Sequence, residues 1–148
     1  SPCNQGDHRV WHGGKKREAA AVRCITLDGF LGPDFPEVSV VKVDVQGAEL
    51  SVLRGAKQLL GRRQQEMALL LEFWPTGLTS LVGGESAIEE FEQEVRGHGF
   101  WVYHMDEKAG ELVPLPGPFR ALTQQFTDHF TNLLCVRGER FAEVGNGR

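Results

Sequence analysis

No apolar run in this 148-residue sequence approaches the roughly 20 residues that a helix needs to cross a bilayer, which excludes a transmembrane helix. The opening residues, 1–7, lack a basic segment followed by an apolar stretch, so we expect no signal peptide. Cysteine is scarce: Cys3, Cys24 and Cys135 match no zinc-binding spacing and are an odd number for a disulfide framework. The sequence therefore predicts a reducing, cytoplasmic location and no metal site.

Basic residues are too few for a protein that binds nucleic acid. The chain has 16 Lys and Arg against 20 Asp and Glu, a formal net charge of −4, whereas phosphate binding needs a basic face. The one basic run, 15–17, is expected to lie in a solvated turn. The sequence also contains neither G-x-S-x-G nor the phosphate-binding G-x-x-x-x-G-K-[ST], so neither motif supports a serine hydrolase or a P-loop enzyme.

Residues 22–137 alternate between strand-like and helix-like patterns, which favours an α/β sheet with right-handed crossovers. Strands are predicted at 21–27, 38–45, 67–73, 100–105 and 131–136, with 111–114 pairing back as a hairpin. Helices are predicted at 48–60 and, from a capping box at 86–89, up to Gly97, and Asp28 is expected to cap a short turn at 29–31. The polar segment 1–21 is interpreted as a hairpin, and the tail 138–148 is expected to fray.

Two predicted strands end in carboxylates. Asp44 lies near the end of the strand at 38–45, and Glu72 lies near the end of the strand at 67–73. In α/β sheets ligands bind at the carboxyl ends of the strands, so neighbouring strands would bring both side chains to one crevice. There they either orient a ligand or accept a hydroxyl proton, or they only cap the next helix and bind loop amides. Spacing alone favours neither alternative.

Three further side chains are candidates for the same chemistry. Lys42 shares a strand face with Asp44, and as a buried lysine it would either form a structural ion pair or lower the pKa of Asp44. Glu49 opens the next helix, where a favourable charge at the helix N-terminus explains it better than catalysis. His104 is the best single candidate for a general base, although an exposed histidine at a strand end is commoner.

Five motifs resemble the FkbM family of methyltransferases. They are T-L-D at 26–28, K-V-D-V-Q-G-A-E at 42–49, V-L-R-G-A at 52–56, L-L-L-E-F at 69–73 and G-F-W-V-Y at 99–103. The resemblance covers residues 22–137 and implies the C-terminal portion of a Rossmann-like class I methyltransferase sheet, mostly parallel with an antiparallel strand. It also implies S-adenosylmethionine as the cofactor and O-methylation of a hydroxyl on a small molecule, sugar or lipid.

The resemblance also suggests which residues act. It points to Asp44, Glu49 and Glu72 as the catalytic candidates, since they match acidic positions of the family pattern. Gln46 stands where many members have Glu, which argues against a carboxylate role at that position. The family's glycine-rich cofactor turn and ribose-binding acid are not found before Thr26, so cofactor-binding residues stay unassigned. We therefore expect the C-terminal half of a methyltransferase domain, a fragment inactive alone.

The absence of those upstream elements would leave one strand of the predicted sheet without a partner. The strand at 38–45 would lack its neighbour, and its apolar unpaired edge would favour self-association. The alternative to an enzyme is a non-catalytic Rossmann-like remnant that binds a partner.

Overall fold

The computed structural model describes residues 22–82, 84, 86–126 and 129–141. The predicted hairpin at 1–21 and the last residues of the predicted tail, 142–148, lie outside the described residues. The strands are β1 (Val40–Val43), β2 (Met67–Phe73), β3 (Trp101–Asp106), β4 (Glu111–Pro114) and β5 (Thr131–Arg137). The helices are α1 (Leu27–Leu31), α2 (Glu49–Arg54), α3 (Lys57–Gly61), α4 (Pro75–Val82), α5 (Ser86–Gly97) and α6 (Arg120–Thr123), followed by a 3₁₀ turn at Glu139–Phe141.

The five strands form one sheet in the order β1-β2-β5-β3-β4. Only β1 and β2 pair in parallel, while the other three pairings are antiparallel. The α/β class is confirmed, but the expectation of a mostly parallel sheet is wrong. The cause is the position of β5, which runs opposite to both of its neighbours and so makes two pairings antiparallel by itself; the β3–β4 hairpin adds the third.

One face of the sheet carries the main core. Met67, Leu69, Leu71 and Phe73 alternate along β2 and are fully buried on this face. The predicted apolar face of α5 is confirmed, since Ile88, Phe91 and Val95 are all buried in the same core. The rings of Phe73, Phe91 and Phe119 pack together with centroids 5.8–5.9 Å apart. This cluster fixes the helical layer beneath the sheet.

The strand predicted at 21–27 is wrong over its described part. Residues 22–26 form no strand, and Val22 and Ile25 are exposed. Among the described strands none pairs with this segment, so its backbone has no ladder partner despite its alternating pattern. Cys24, expected in an apolar strand, is exposed as well, whereas Cys135 is buried in β5 and burial raises the pKa of its thiol.

The T-L-D motif at 26–28 caps two helices. Thr26 is the N-cap of α1 and its hydroxyl oxygen accepts a hydrogen bond from the Gly29 N–H at 3.0 Å. Asp28, predicted to cap that turn, instead accepts from the backbone N–H groups of Gln58 and Leu59 in the first turn of α3, at 2.9 and 3.1 Å. The predicted cap on α1 is therefore wrong in its residue, because the Asp28 side chain reaches a helix 30 residues away.

The helix predicted over 48–60 is two helices, α2 and α3. The break falls at Gly55, whose backbone carbonyl accepts a hydrogen bond from the Asp28 N–H at 2.9 Å. A side chain at Gly55 would meet Thr26 at 3.4 Å, so the V-L-R-G-A motif and the T-L-D motif pack against each other. The apolar period continues through the break, which explains why the pattern predicts one helix.

Helix α4 follows β2 and was not expected, because Pro75 and Gly77 read as strand-terminating residues. Pro75 is the first residue of α4, a position where the missing N–H costs nothing. Gly77 is required by its neighbour, since a Cβ there would lie 2.2 Å from the Trp74 ring. The strand predicted at 38–45 is shorter, covering only Val40–Val43.

At the start of the predicted tail, the chain forms a 3₁₀ turn at Glu139–Phe141, and the Arg140 N–H donates to a carboxylate oxygen of Glu66 at 2.8 Å. Of the helices that the structure describes, none has both the length and the apolar character to cross a membrane.

Candidate functional site

The candidate site lies where β1 and β2 end side by side. The two strands are parallel neighbours, with Val43 paired to Leu71. Asp44 follows the last residue of β1, and Glu72 is the next residue of β2 after Leu71. The two strands are neighbours, as the prediction requires. The structure therefore confirms that Asp44 and Glu72 lie together at the carboxyl ends of these strands, where the Gln46 side chain contacts both of them.

Gln46 joins the two carboxylates. Its amide nitrogen Nε2 lies 3.0 Å from both carboxylate oxygens of Glu72 and 3.2 Å from Oδ1 of Asp44. The backbone of Gln46 is left-handed, with φ of 54°, which turns the chain sharply after β1. This turn lets a residue two positions after Asp44 point back toward both acids, and we call Asp44, Gln46 and Glu72 the amide-bridged pair.

Asp44 is the accessible member of the amide-bridged pair. Its side chain is 44% exposed, while Glu72 is buried. The Gln46 amide and then the Lys42 ammonium, 3.1 Å from Oδ2, lower the pKa of Asp44 below its usual value. The carboxylate is therefore ionised at neutral pH and faces solvent, as a group that binds a ligand must.

Lys42 does not fit the expectation of a buried lysine. Its side chain is 63% exposed, because the described part of the chain places no element over the face of β1 that carries it. The two predicted alternatives occur together: Lys42 forms an ion pair with Asp44, and this contact helps to lower the pKa of Asp44. The ion pair is solvent-exposed, so it tunes Asp44 more than it stabilises the fold.

Glu49 has a different environment from the other two acids. It is fully buried, and its Oε1 accepts a hydrogen bond from the Val45 N–H at 3.0 Å while Oε2 accepts from the Gly47 N–H at 2.9 Å. Burial raises the pKa of Glu49 above its usual value, against these hydrogen bonds. The side chain closes the turn between β1 and α2 and so holds Gln46 in place. Glu49 is therefore the acidic residue predicted at the N-terminus of α2, and its carboxylate binds the backbone of the turn that precedes the helix.

The same turn packs tightly on α4. Gly47 has φ of 103°, and a Cβ at this position would lie 2.8 Å from the backbone of Gly77. Only glycine satisfies both the left-handed conformation and this close approach. The Gln46–Gly47 turn is therefore fixed by α4 on one side and by the Glu49 carboxylate on the other.

His104 lies apart from the amide-bridged pair. It is in β3, and β5 lies between β3 and β2. Its Nε2 is 2.9 Å from Oγ1 of Thr131, and its ring centroid is 5.4 Å from that of Phe126. His104 therefore has its own polar and aromatic surroundings, and no contact brings it to Asp44.

Two residues of this edge were missed by sequence reasoning. From the sequence, Gln46 is only a position where many family members have Glu. Its role depends on the left-handed turn at this residue, which a sequence does not show. Asn132 pairs with Glu72 across β2 and β5, and its amide nitrogen donates to a carboxylate oxygen of Glu107 at 2.7 Å. Its signal was available, as a polar residue in an otherwise apolar strand. A direct part in catalysis for Asp44, Glu49 or Glu72 stays a prediction.

The described residues contain no group of three or more His, Cys, Asp or Glu side chains that could hold a metal ion. Comparison with known proteins gives one match: the family model described as "Methyltransferase FkbM domain" matches residues 1–102. The searches of curated proteins and of solved structures gave no match. The matched region includes β1, β2 and the whole amide-bridged pair, and the chain belongs to the FkbM methyltransferase domain family.

Proposed function

We propose that the amide-bridged pair forms the acceptor side of an S-adenosylmethionine-dependent O-methyltransferase. The observation that carries this proposal is the exposed, ionised Asp44 carboxylate at the end of β1, fixed by Gln46 beside the buried Glu72. Ligands of α/β sheets bind at this end of the strands. The acceptor is a hydroxyl on a small molecule, a sugar or a lipid.

Asp44 holds the acceptor hydroxyl in this proposal. Its carboxylate accepts the hydrogen bond from the hydroxyl, which directs an oxygen lone pair away from the protein and toward the methyl donor. The low pKa of Asp44 makes it a weak base before reaction. Methylation makes the hydroxyl proton strongly acidic, so the proton then passes to an Asp44 oxygen without a strong base being needed.

Gln46 and Glu72 act through Asp44. The Gln46 amide nitrogen, shared between the two acids, holds the exposed Asp44 carboxylate in one orientation. The buried Glu72 fixes that amide in turn, and Glu49 fixes the backbone on which Gln46 sits. We therefore regard Gln46, Glu72 and Glu49 as positioning residues, and Asp44 as the group that touches the acceptor.

The acidic edge also fits a positively charged methyl donor. S-adenosylmethionine, when bound, would supply an electrophilic methyl group carried on a sulfonium. The acceptor oxygen would bond to the methyl carbon, and the electron pair of the carbon–sulfur bond would return to sulfur. Asp44 is ionised and accessible, so its negative charge favours the cationic donor over the neutral product.

A methyl-transfer assay tests the proposal. The protein carrying this sequence is supplied with tritiated-methyl S-adenosylmethionine and a panel of hydroxylated sugars, lipids and small molecules. Asp44→Asn, which keeps the shape and removes the charge, should lower turnover by about 100-fold. The control is Asp34→Asn, which changes an exposed aspartate in the loop before β1 and should leave turnover unchanged.

Two results would contradict the proposal. If folded Asp44→Asn keeps turnover within a few-fold of the parent, Asp44 does not touch the acceptor, and the role passes to Glu49, Glu72 or His104. Because the 148-residue chain alone is expected to be inactive, the result that counts against an enzyme is absence of label transfer by the complete methyltransferase domain, which would favour the alternative of a non-catalytic binding domain.

A further inference from the structure

A cleft lies at the end of the sheet around His104, apart from the amide-bridged pair. It has a volume of about 480 Å³, within the range of roughly 300–1,000 Å³ that small-molecule sites occupy. We call it the His104 cleft, and its main walls are His104, Lys108, Gln125, Phe126, Phe130 and Thr131. The roles assigned above to Asp44, Gln46, Glu49 and Glu72 use none of these residues.

The His104 cleft opens at the same end of the sheet as the amide-bridged pair. In the strand register Glu72 lies opposite Asn132, and Asn132 lies opposite Met105, the residue after His104. The ends of β2 and β3 are thus level, with β5 between them. Two strand spacings separate them by roughly 10 Å. His104 pairs with Leu133 and so lies on the core face of the sheet, whereas Glu72 pairs with Asn132 on the other face. A ligand held in the cleft therefore reaches the amide-bridged pair around the ends of the strands.

The floor of the cleft is aromatic. The ring of Phe126 packs on the His104 ring at 5.4 Å and also contacts the core, so its position is fixed from behind. Phe130 is 54% exposed, so its ring is accessible to a ligand. Two aromatic rings at one cleft, one of them exposed, provide an apolar surface for a ring-shaped ligand.

The rim of the cleft is polar, and part of it is already oriented. The imidazole of His104 is held by Thr131 at 2.9 Å, and the Glu107 carboxylate is held by Asn132. The Asp106 carboxylate accepts hydrogen bonds from the N–H groups of Lys108 and Ala109, both at 3.0 Å, which hold its pKa low. Two acids, Asp106 and Glu107, stand against Lys108 and the two histidines His104 and His129, so the lining has no concentrated positive charge for a phosphate or carboxylate ligand.

We propose that the His104 cleft binds a neutral hydroxylated ring of the acceptor, with one C–H face of a pyranose on Phe126 and Phe130 and its hydroxyls toward His104 and the rim. This inference rests on the proposed function for its biological meaning, because it assigns the cleft to the acceptor of methyl transfer. A pyranose has an apolar face and equatorial hydroxyls, which match an aromatic floor and a polar rim. A flat aromatic ligand would leave the polar rim unpaired.

The test measures sugar binding to the 148-residue chain without any cofactor. Saturation-transfer NMR and titration are run with neutral methyl pyranosides, with phenol and with glucose 6-phosphate. We expect pyranoside binding in the millimolar range for a single ring, and Phe130→Ala should weaken it about tenfold. The matched control is Phe30→Ala, which removes a phenylalanine of α1 that is 71% exposed and should leave the affinity unchanged.

Each outcome decides the inference. Unchanged pyranoside affinity in Phe130→Ala overturns it, as does unchanged affinity in a folded His104→Ala or absence of pyranoside binding to the folded parent chain. Preference for phenol or for the sugar phosphate overturns it too, and identifies another class of ligand. Because Phe130 is exposed, its removal is not expected to unfold the chain, so the result stands even if His104→Ala fails to fold.

The failure of this inference is distinguishable from the failure of the proposed function. Pyranoside binding that depends on Phe130, with no methyl transfer by the parent protein, keeps the cleft and removes the enzyme proposal. Methyl transfer to a hydroxyl acceptor that is insensitive to Phe130→Ala keeps the enzyme proposal and removes the cleft.

Discussion

The amide nitrogen of Gln46 lies 3.0 Å from both carboxylate oxygens of Glu72, across the gap between β1 and β2. An amide at this point donates to the acids and carries no charge of its own. A carboxylate in its place would put a third negative charge beside Glu72 and Asp44. The identity of residue 46 therefore sets the charge of the whole edge.

We predict that Gln46→Glu destabilises the protein at neutral pH and much less at acid pH. The new carboxyl would sit beside two acids, so its pKa in the folded state would be raised. A group with a raised folded pKa loses its stability contribution as pH rises through that value. Urea unfolding should show a loss of about 1–3 kcal/mol at pH 7 that shrinks toward pH 4.

Gln124→Glu provides the control for this prediction. Gln124 is exposed at the end of α6, and the same change of charge there should shift stability by less than about 0.5 kcal/mol. Equal losses in the two variants, or a Gln46→Glu loss that does not depend on pH, would mean that the amide bridge carries no electrostatic weight.

Sequence reasoning located the edge of the sheet that carries the site, but not the side chain that organises it. Asp44 and Glu72 were predictable because strand ends follow from apolar runs, and β2 has the predicted bounds, 67–73. Gln46 was not, since its direction depends on a left-handed turn that Glu49 and Gly77 enforce. The Glu49 carboxylate binds backbone N–H groups of its own turn, and such contacts leave no periodic pattern in a sequence.

The errors in the fold have a common physical origin. Local patterns report which residues can form an element, whereas the partners decide whether it forms. The alternating segment 22–26 has no described partner and stays irregular, and the apolar period over 48–60 is divided because Asp28 starts a second helix. Pro75 illustrates the reverse case, because a residue that ends a strand also begins a helix.

Glu49 provides a second prediction, with a defined dependence on pH. Burial raises its folded pKa, so its contribution to stability is fully present below the ordinary glutamate value and falls as pH rises through the folded value. Glu49→Gln removes this titration. The stability of the variant relative to the parent should therefore improve from about pH 4 to about pH 7 in urea unfolding.

The companion variant Glu49→Ala distinguishes charge from hydrogen bonding. It leaves the N–H groups of Val45 and Gly47 without their acceptor in a buried turn. We expect a loss of about 2–4 kcal/mol near pH 4, which shrinks toward pH 7 as it does for Glu49→Gln, because both variants lack the Glu49 titration. If Glu49→Ala were as stable as the parent, the carboxylate would not be what closes the turn.

The free edge of β1 provides a third prediction. Among the described strands β1 pairs only with β2, and Val40 is 68% exposed beside the unpaired backbone. An antiparallel pairing of two copies centred on Val43 would set Lys42 of each opposite Asp44 of the other, so the edge is self-complementary in charge. We propose that the chain self-associates through β1 at micromolar concentration.

Substitutions on the two edges of the sheet test self-association. Val40→Lys should abolish it at little cost in stability, whereas Val41→Lys should abolish it and destabilise the fold, because Val41 packs against the core. Val113→Lys on β4, the opposite edge, should leave association unchanged. Sedimentation velocity over a range of concentrations gives the answer, and a compact monomer at every concentration would contradict the proposal.

Arg137 is a buried cation at the C-terminal end of β5. Its guanidinium donates to the backbone carbonyls of Leu60, Arg62, Gln65 and His98, at 2.7–3.2 Å. Its charge is therefore met by the carbonyl ends of α3 and of the segment after α5, and by the Phe100 ring 4.6 Å away. Burial lowers the pKa of Arg137, with the nearby Arg63 adding to the effect.

We predict that Arg137→Met costs about 2–4 kcal/mol of stability, because four carbonyls lose their donor. Arg137→Lys should recover little of this, since an ammonium does not reproduce the fork that reaches all four oxygens. The control Arg140→Met removes an exposed ion pair with Glu66 at 3.1 Å and should cost at most about 1 kcal/mol in urea unfolding.

The position of Arg137 makes the prediction specific. It pairs with Met67 at the start of β2, so it lies at the opposite end of the sheet from Glu72 and the His104 cleft. Arg137→Met should therefore lower the melting temperature while leaving the pyranoside affinity of the folded protein unchanged. A fall in affinity at temperatures where the variant is folded would mean that the two ends of the sheet are coupled, and that Arg137 positions the site as well as the core.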